Sequence, residues 1–221
     1  MVLKREHKRI CIWSPPRTAS TFVYHYLIKH LQNENWLGYD SVFTLQNTGS
    51  EPFRPTRPDY YKTFQAFQRE PSWVAKLHNS DIINLESLGL FKSFVNLCDY
   101  NILLLRKDLF ETTVSFCISK IKNQWIYQDD IPIKISRRQF AEAYHQQVKF
   151  KNDLINSRIN FNKKLYTENL PDKDKLWSVL TGLEPKELEY DEWTSISPDK
   201  TKVVINYNEL KDFYDEMRTS R

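Results

Sequence analysis

Glycine is scarce in this chain. Only Gly38, Gly49, Gly89 and Gly182 occur in 221 residues, where average usage of roughly 7% would supply about 15. A glycine-rich repeat, a collagen-like segment and a flexible glycine linker are therefore excluded. The three cysteines, Cys11, Cys98 and Cys117, are odd in number and show no C-x-x-C spacing, so neither a disulfide framework nor a zinc knuckle is expected. A reducing compartment is the simpler expectation. Blocks of like charge are missing as well: 32 Lys+Arg against 28 Asp+Glu leave a net charge of only +4, with no basic arm of the kind that binds nucleic acid. The charged opening Met1 to Arg9 leads into only a short apolar stretch, so no secretory leader and no membrane span are expected, and the chain reads as cytoplasmic.

What the chain does contain is a succession of short apolar runs separated by amphipathic stretches. Its length suits a single domain over 1–221, with an elaborated loop region. Ile10-Cys11-Ile12-Trp13 stops at Ser14-Pro15-Pro16, as a buried strand does when prolines end its pairing. From Ser20 the period becomes helical: Phe22 and Tyr26, then Val23, Leu27 and Leu31, share faces. Residues 38–72 hold two of the four glycines and the prolines Pro52, Pro55, Pro58 and Pro71, ahead of the cluster Tyr60, Tyr61, Phe64 and Phe67. An irregular insertion around 38–72 is expected, with a helix over Tyr60 to Gln68.

Further strands are expected at Trp73-Val74-Ala75-Lys76-Leu77, at Tyr100 to Leu105, at Lys164-Leu165-Tyr166 and at Val203-Val204-Ile205. Helices are expected after Asp108, from Arg137 to about Ile159, over Lys173 to Leu180 and from about Asn208 to Met217. Strands alternating with helices predict an α/β three-layer sandwich with a central parallel sheet. Ligands in such sheets lie beyond the carboxyl ends of the strands. That directs attention to Ser14–Thr21, Lys76–Ser80 and Arg106–Ser115, because each follows a strand.

Pro16-Arg17-Thr18-Ala19-Ser20-Thr21-Phe22 joins a strand to a helix N-terminus. Unpaired backbone N–H groups, the positive end of the helix dipole, the Arg17 charge and the Ser20 and Thr21 hydroxyls suit an anionic oxygen cluster. An ordinary helix capped by Ser20 with a solvated Arg17 fits the same residues. A Walker A loop is excluded, since its glycines and lysine are absent.

The segment resembles the 5′-phosphosulfate loop of the sulfotransferase family, whose members use 3′-phosphoadenosine 5′-phosphosulfate (PAPS) as donor. The resemblance implies a P-loop-like fold in which Arg17, Thr18, Ala19, Ser20 and Thr21 surround the 5′-phosphate and sulfate, with Phe22 an adenine neighbour. Ala19 stands where the family usually has glycine. Alanine fits there if its φ is negative, and its methyl narrows the approach of a phosphate oxygen.

Arg106-Lys107-Asp108, followed by Ser115, resembles the family's 3′-phosphate site, in which an arginine and a serine grip the phosphate. The separation of Arg106 and Ser115 is one residue longer than the common form and leaves Lys107 a rival for part of the role. Arginine suits phosphate through its planar fork of donors. Taken alone, a strand-end arginine paired with Asp108 explains these residues as well.

Lys76-Leu77-His78 matches the Lys-x-His of the family's cytosolic branch. The resemblance implies that His78 is the base that takes the acceptor's proton, while Lys76 and Arg17 offset negative charge developing during transfer. His7, His25, His30 and His145 have no comparable setting. Lys164 to Leu170, Leu180 to Leu183 and Val204 to Leu210 are similar to packing segments of the family, so the resemblance spans roughly residues 9–216. The basic Arg-Lys-Gly element of animal-type members has no counterpart.

The expected activity is thus transfer of a sulfuryl group from PAPS to an acceptor hydroxyl, without a metal. The expected acceptor is a carbohydrate or a small hydroxyl compound, met by the Pro52–Phe67 segment with Arg54, Arg57 and Lys62, although the aromatics of that segment fit a core equally well. Two alternatives stay open: a P-loop-like nucleotide-dependent kinase, and a non-catalytic binder of anionic ligands.

Overall fold

Strand β1 (Arg9–Trp13) is buried along its length from Ile10 onward. Its side chains alternate between two cores, as the period of two in a strand requires. Ile10 and Ile12 join Val74, Tyr100, Ile102 and Leu104 on one face, covered by Val23, Leu27 and Leu31 of helix α1 (Ser20–Leu31). Cys11 and Trp13 join Trp73, Ala75, Leu77, Leu103 and Leu105 on the other. That second face is covered by Phe64 and Phe67 of α2 (Tyr60–Arg69), Leu85 of α3 (Asn79–Ser87) and Phe94 of α4 (Phe91–Leu97). A sheet with two buried faces explains why β1, β3 (Trp73–Leu77) and β4 (Tyr100–Leu105) read as near-continuous apolar runs.

The computed structural model describes residues 9–31, 37–40, 60–123, 131–170, 176, 178–180 and 199–219. Five strands form one sheet in the order β2-β3-β1-β4-β5, where β2 is Leu37–Asp40 and β5 is Lys163–Tyr166. Every pairing is parallel. The protein is therefore α/β, with helices on both faces of an all-parallel sheet. Helices α5 (Leu109–Lys122), α6 (Arg137–Ile155), α7 (Lys200–Val203) and α8 (Tyr207–Thr219) surround a third cluster built on Phe110, Phe140, Tyr144 and Leu210. No helix among the described residues is long and apolar enough to cross a membrane.

Two expectations need correction. Val203 to Ile205 is not a strand: Asp199 accepts from Thr201 N at 3.1 Å and starts the short helix α7, and Val204 makes only an isolated parallel bridge to Ile133. Three apolar residues in a row are too few for periodicity to separate the two forms. The insertion expected from residue 38 also begins with a strand, β2, in register with β3 from Leu37↔Trp73 to Asp40↔Lys76. β2 is an edge strand with Leu37 and Gly38 exposed, so it carries no apolar alternation. The aromatics Phe64 and Phe67 are core. The expected acceptor-side residues 52–59, with Arg54 and Arg57, lie outside the described residues, as do 173–175 and 177 of the helix expected over Lys173 to Leu180, and Gly182 near its end.

Gly38 shows where a glycine is sterically required. A Cβ there would come within 2.4 Å of the Tyr24 hydroxyl and 3.0 Å of Ile28 Cδ1. Tyr24 is buried, which limits its retreat. Gly38→Ala should destabilise the fold by about 1–3 kcal/mol, as overpacking does. An unchanged urea midpoint would show that the α1–β2 contact yields freely.

Candidate functional site

The carboxyl ends of β1, β3 and β4 lie side by side, and the loop after each brings polar side chains to the same place. From β1, the ladder continues one residue past Trp13, where Ser14 N donates to Leu77 O at 3.1 Å. The chain then turns through a loop in which Arg17 (φ 67) and Ala19 (φ 56) are both left-handed. Such a conformation costs a non-glycine residue roughly 1–2 kcal/mol, so the surroundings must enforce it. They do so with side chains: Thr18 Oγ1 donates to Pro15 O at 2.9 Å. Thr167 Oγ1 lies 2.8 Å from Thr18 O and 3.1 Å from Leu105 O, sharing its one proton between them.

Ala19 thus occupies the glycine-type conformation, not the negative φ that would suit alanine. Ala19→Gly should relieve the roughly 1–2 kcal/mol of strain and lose about 0.4–1 kcal/mol through the freer unfolded chain. We expect a urea-derived stability equal to or slightly above wild type. A clear loss would mean that Ala19 is unstrained.

Arg17 Nε donates to Ser115 Oγ at 2.9 Å. Ser115 sits on α5, two turns from its start, and is buried. The first loop and the Arg106–Ser115 segment therefore meet directly, with Arg17 rather than Arg106 holding the serine. Burial, and secondarily the nearby Arg106 charge, push the Arg17 guanidinium pKa down from its ordinary value. Arg17 and Arg106 thus bring two positive charges together beyond the carboxyl ends of β1 and β4.

Arg106 follows β4. Its Nε is buried without a hydrogen bond, and its nearest anion is Glu168 Oε1 at 3.7 Å. Glu168 is committed elsewhere, accepting from Lys107 N and Asp108 N, each at 3.0 Å. Burial opposes ionisation of Glu168, but those backbone donors and the Arg106 charge outweigh it and hold its carboxyl below the usual range. Lys107 turns away, its ammonium 3.1 Å from Asn169 Oδ1 and 5.3 Å from the Tyr166 ring centre.

From β3 come Lys76 and His78. The nearly buried Lys76 ammonium donates to Thr21 Oγ1 at 2.9 Å and pairs with Asp40 Oδ1 at 2.8 Å. His78 Nδ1 lies 2.9 Å from Ser14 O and 3.3 Å from Ser14 Oγ. A carbonyl only accepts, so Nδ1 carries the proton and the basic lone pair is on Nε2. His78 N donates to Asp81 Oδ2 at 2.8 Å, which ties the residue to the first turn of α3. Ser20 is buried at the start of α1, and Phe22 packs beside Tyr26 with ring centres 6.2 Å apart.

Sequence reasoning missed the supporting residues. Asp40 lay in a segment read as irregular, and Thr167 and Glu168 in one read only as packing. Glu111 on α5 binds Lys200 and Tyr207. Burial opposes the Glu111 charge, but the hydrogen bonds from Lys200 and Tyr207 outweigh it, so its pKa falls. For Lys200 burial dominates and its pKa falls, in part through Arg106 and Arg17. A cleft of about 460 Å³ between α5 and α8, lined by Lys107, Glu111, Tyr207 and Tyr214 among others, contains none of Arg17, Lys76 or His78. Among the described residues no three His, Cys, Asp or Glu side chains are grouped to hold a metal ion.

The arrangement brings cations, hydroxyl groups, the start of α1 and an imidazole to the carboxyl ends of neighbouring strands. A scan against protein-family models gives no match to this chain, and a search of curated proteins gives none either.

Proposed function

We propose that the chain is a sulfotransferase with a P-loop-like fold, transferring a sulfuryl group from PAPS to the hydroxyl of a carbohydrate or small hydroxyl compound. The observation that carries this reading is the convergence of three segments far apart in the chain. Arg17 meets Ser115 at 2.9 Å, Lys76 meets Thr21 at 2.9 Å and His78 meets Ser14 at 2.9 Å. Each belongs to a motif that resembles a different part of the sulfotransferase site.

The donor set fits a nucleotide with phosphates at both ends of its ribose. Arg17, Thr21 and the N-terminal amides of α1 would hold the 5′-phosphosulfate end. Arg106, whose buried Nε has no hydrogen bond, would hold the 3′-phosphate with Ser115. When bound, the donor would supply an activated sulfuryl group: the acceptor oxygen bonds to sulfur as the bond from sulfur to the 5′-phosphate oxygen breaks, and 3′-phosphoadenosine 5′-phosphate leaves. His78, with its proton on Nδ1 directed at Ser14 O, accepts the acceptor hydroxyl's proton at Nε2. Lys76 and Arg17 lower the cost of negative charge accumulating near the sulfuryl group. Alignment and electrostatics are the chief requirements of such a transfer, so the residues named account for the step.

The test is transfer of radiolabelled sulfate from PAPS to acceptors in a mixed extract, paired with thermal stabilisation by 3′-phosphoadenosine 5′-phosphate and by ATP–magnesium. Labelled product and stabilisation by the phosphoadenosine nucleotide are expected. Stabilisation by ATP–magnesium alone would point to a kinase, and nucleotide binding without any labelled product to a non-catalytic binder.

A further inference from the structure

We propose that Asp40 is the positioning residue for Lys76, an inference that rests on the sulfotransferase reading. Strand β2 ends at Asp40, and its register sets Asp40 directly beside Lys76 on β3. The carboxylate Oδ1 is 2.8 Å from the ammonium, with the two side chains 15% and 5% exposed. An ammonium this deeply buried is costly to leave without a partner. The ammonium has three donors. Thr21 Oγ1 takes one at 2.9 Å, while Asp40 Oδ1 is in ion-pair contact without an aligned hydrogen bond, so at least one donor is left for the group bound at the loop.

Asp40 therefore acts in two opposed ways. It fixes the ammonium beside the first turn of α1, where a misplacement of about 1 Å can cost roughly 100-fold in rate. It also puts a negative charge beside an anion site, which weakens ground-state binding of any polyanion there. A purely structural carboxylate would act through fold stability alone, and its loss would weaken binding and turnover together. Separate effects on binding and turnover are the signature of the positioning role.

The experiment compares wild type, Asp40→Asn, Lys76→Met and the double variant in the full-length chain. It measures sulfate transfer and calorimetric binding of 3′-phosphoadenosine 5′-phosphate. Asp40→Asn should lower kcat by roughly tenfold to hundredfold while nucleotide affinity stays equal or tightens. Restoration of part of the rate by Asp40→Glu supports the role. The double variant, which leaves no unpaired buried charge, should be no slower than Lys76→Met, because Asp40 acts only through Lys76. It also serves if Asp40→Asn alone does not fold. Wild-type kcat in Asp40→Asn, or a double variant whose loss equals the product of the two single losses, would overturn the proposal. Absence of transfer and nucleotide binding in wild type itself would instead overturn the sulfotransferase reading, and this proposal with it.

Discussion

His78→Ala is expected to lower turnover by roughly 10²–10⁴-fold, the range for loss of a general base, while donor affinity stays within about twofold. The ring's position supports the separation. His78 follows β3 and is oriented by Ser14 O at 2.9 Å and by its own backbone bond to Asp81. Neither contact involves Arg17 or Arg106, the residues assigned to the donor's phosphates. Alanine removes the imidazole but keeps the backbone N–H that Asp81 accepts, so the start of α3 survives. Single-turnover transfer and calorimetric binding of 3′-phosphoadenosine 5′-phosphate are the two measurements. Near wild-type turnover would remove His78 from the role of base. A parallel collapse of nucleotide affinity would make it a structural support of the Ser14 loop.

Arg106→Ala should give the opposite pattern, with nucleotide affinity reduced by roughly 150- to 25,000-fold. Charge-assisted hydrogen bonds contribute about 1.5–3 kcal/mol each, so loss of a two-pronged phosphate contact amounts to about 3–6 kcal/mol. The Nε of the side chain is buried without a hydrogen bond, and Glu168 Oε1 is 3.7 Å away. Glu168 keeps its two backbone donors in the variant, and Arg17 loses a neighbouring like charge. Thermal stability should therefore change little. Unchanged affinity by calorimetry would exclude the contact.

Much of the sheet was legible from apolar runs, because strands buried on two faces need no partner to reveal them. β1, β3 and β4 all have this character, and helices α2 and α8 start within one residue of their expected first residues. β2 was not legible, since an edge strand of Leu-Gly-Tyr-Asp owes its extended form to pairing with β3. The helical turn at Lys200–Val203 depends on the Asp199 cap and on the buried pairing of Lys200 with Glu111, 89 residues earlier. Ala19 shows the same limit. Its methyl is visible in the sequence, but its φ of 56 follows from Thr18, Pro15 and Thr167 closing around the loop.

By itself the sequence singled out the candidate site residues: a loop of hydroxyls and Arg17 between strand and helix, a strand-end Lys76 and His78, and Arg106 after another strand. Such features are local, because a strand run, its breaker and the first turn of the next helix lie within about ten residues. Only the tertiary structure decided the partners. Ser115 pairs with Arg17 at a separation of 98 residues, and Lys76 pairs with Asp40. Those pairings follow from the sheet order β2-β3-β1-β4-β5, and strand order is set by how helices cover two faces, which periodicity along the chain does not encode.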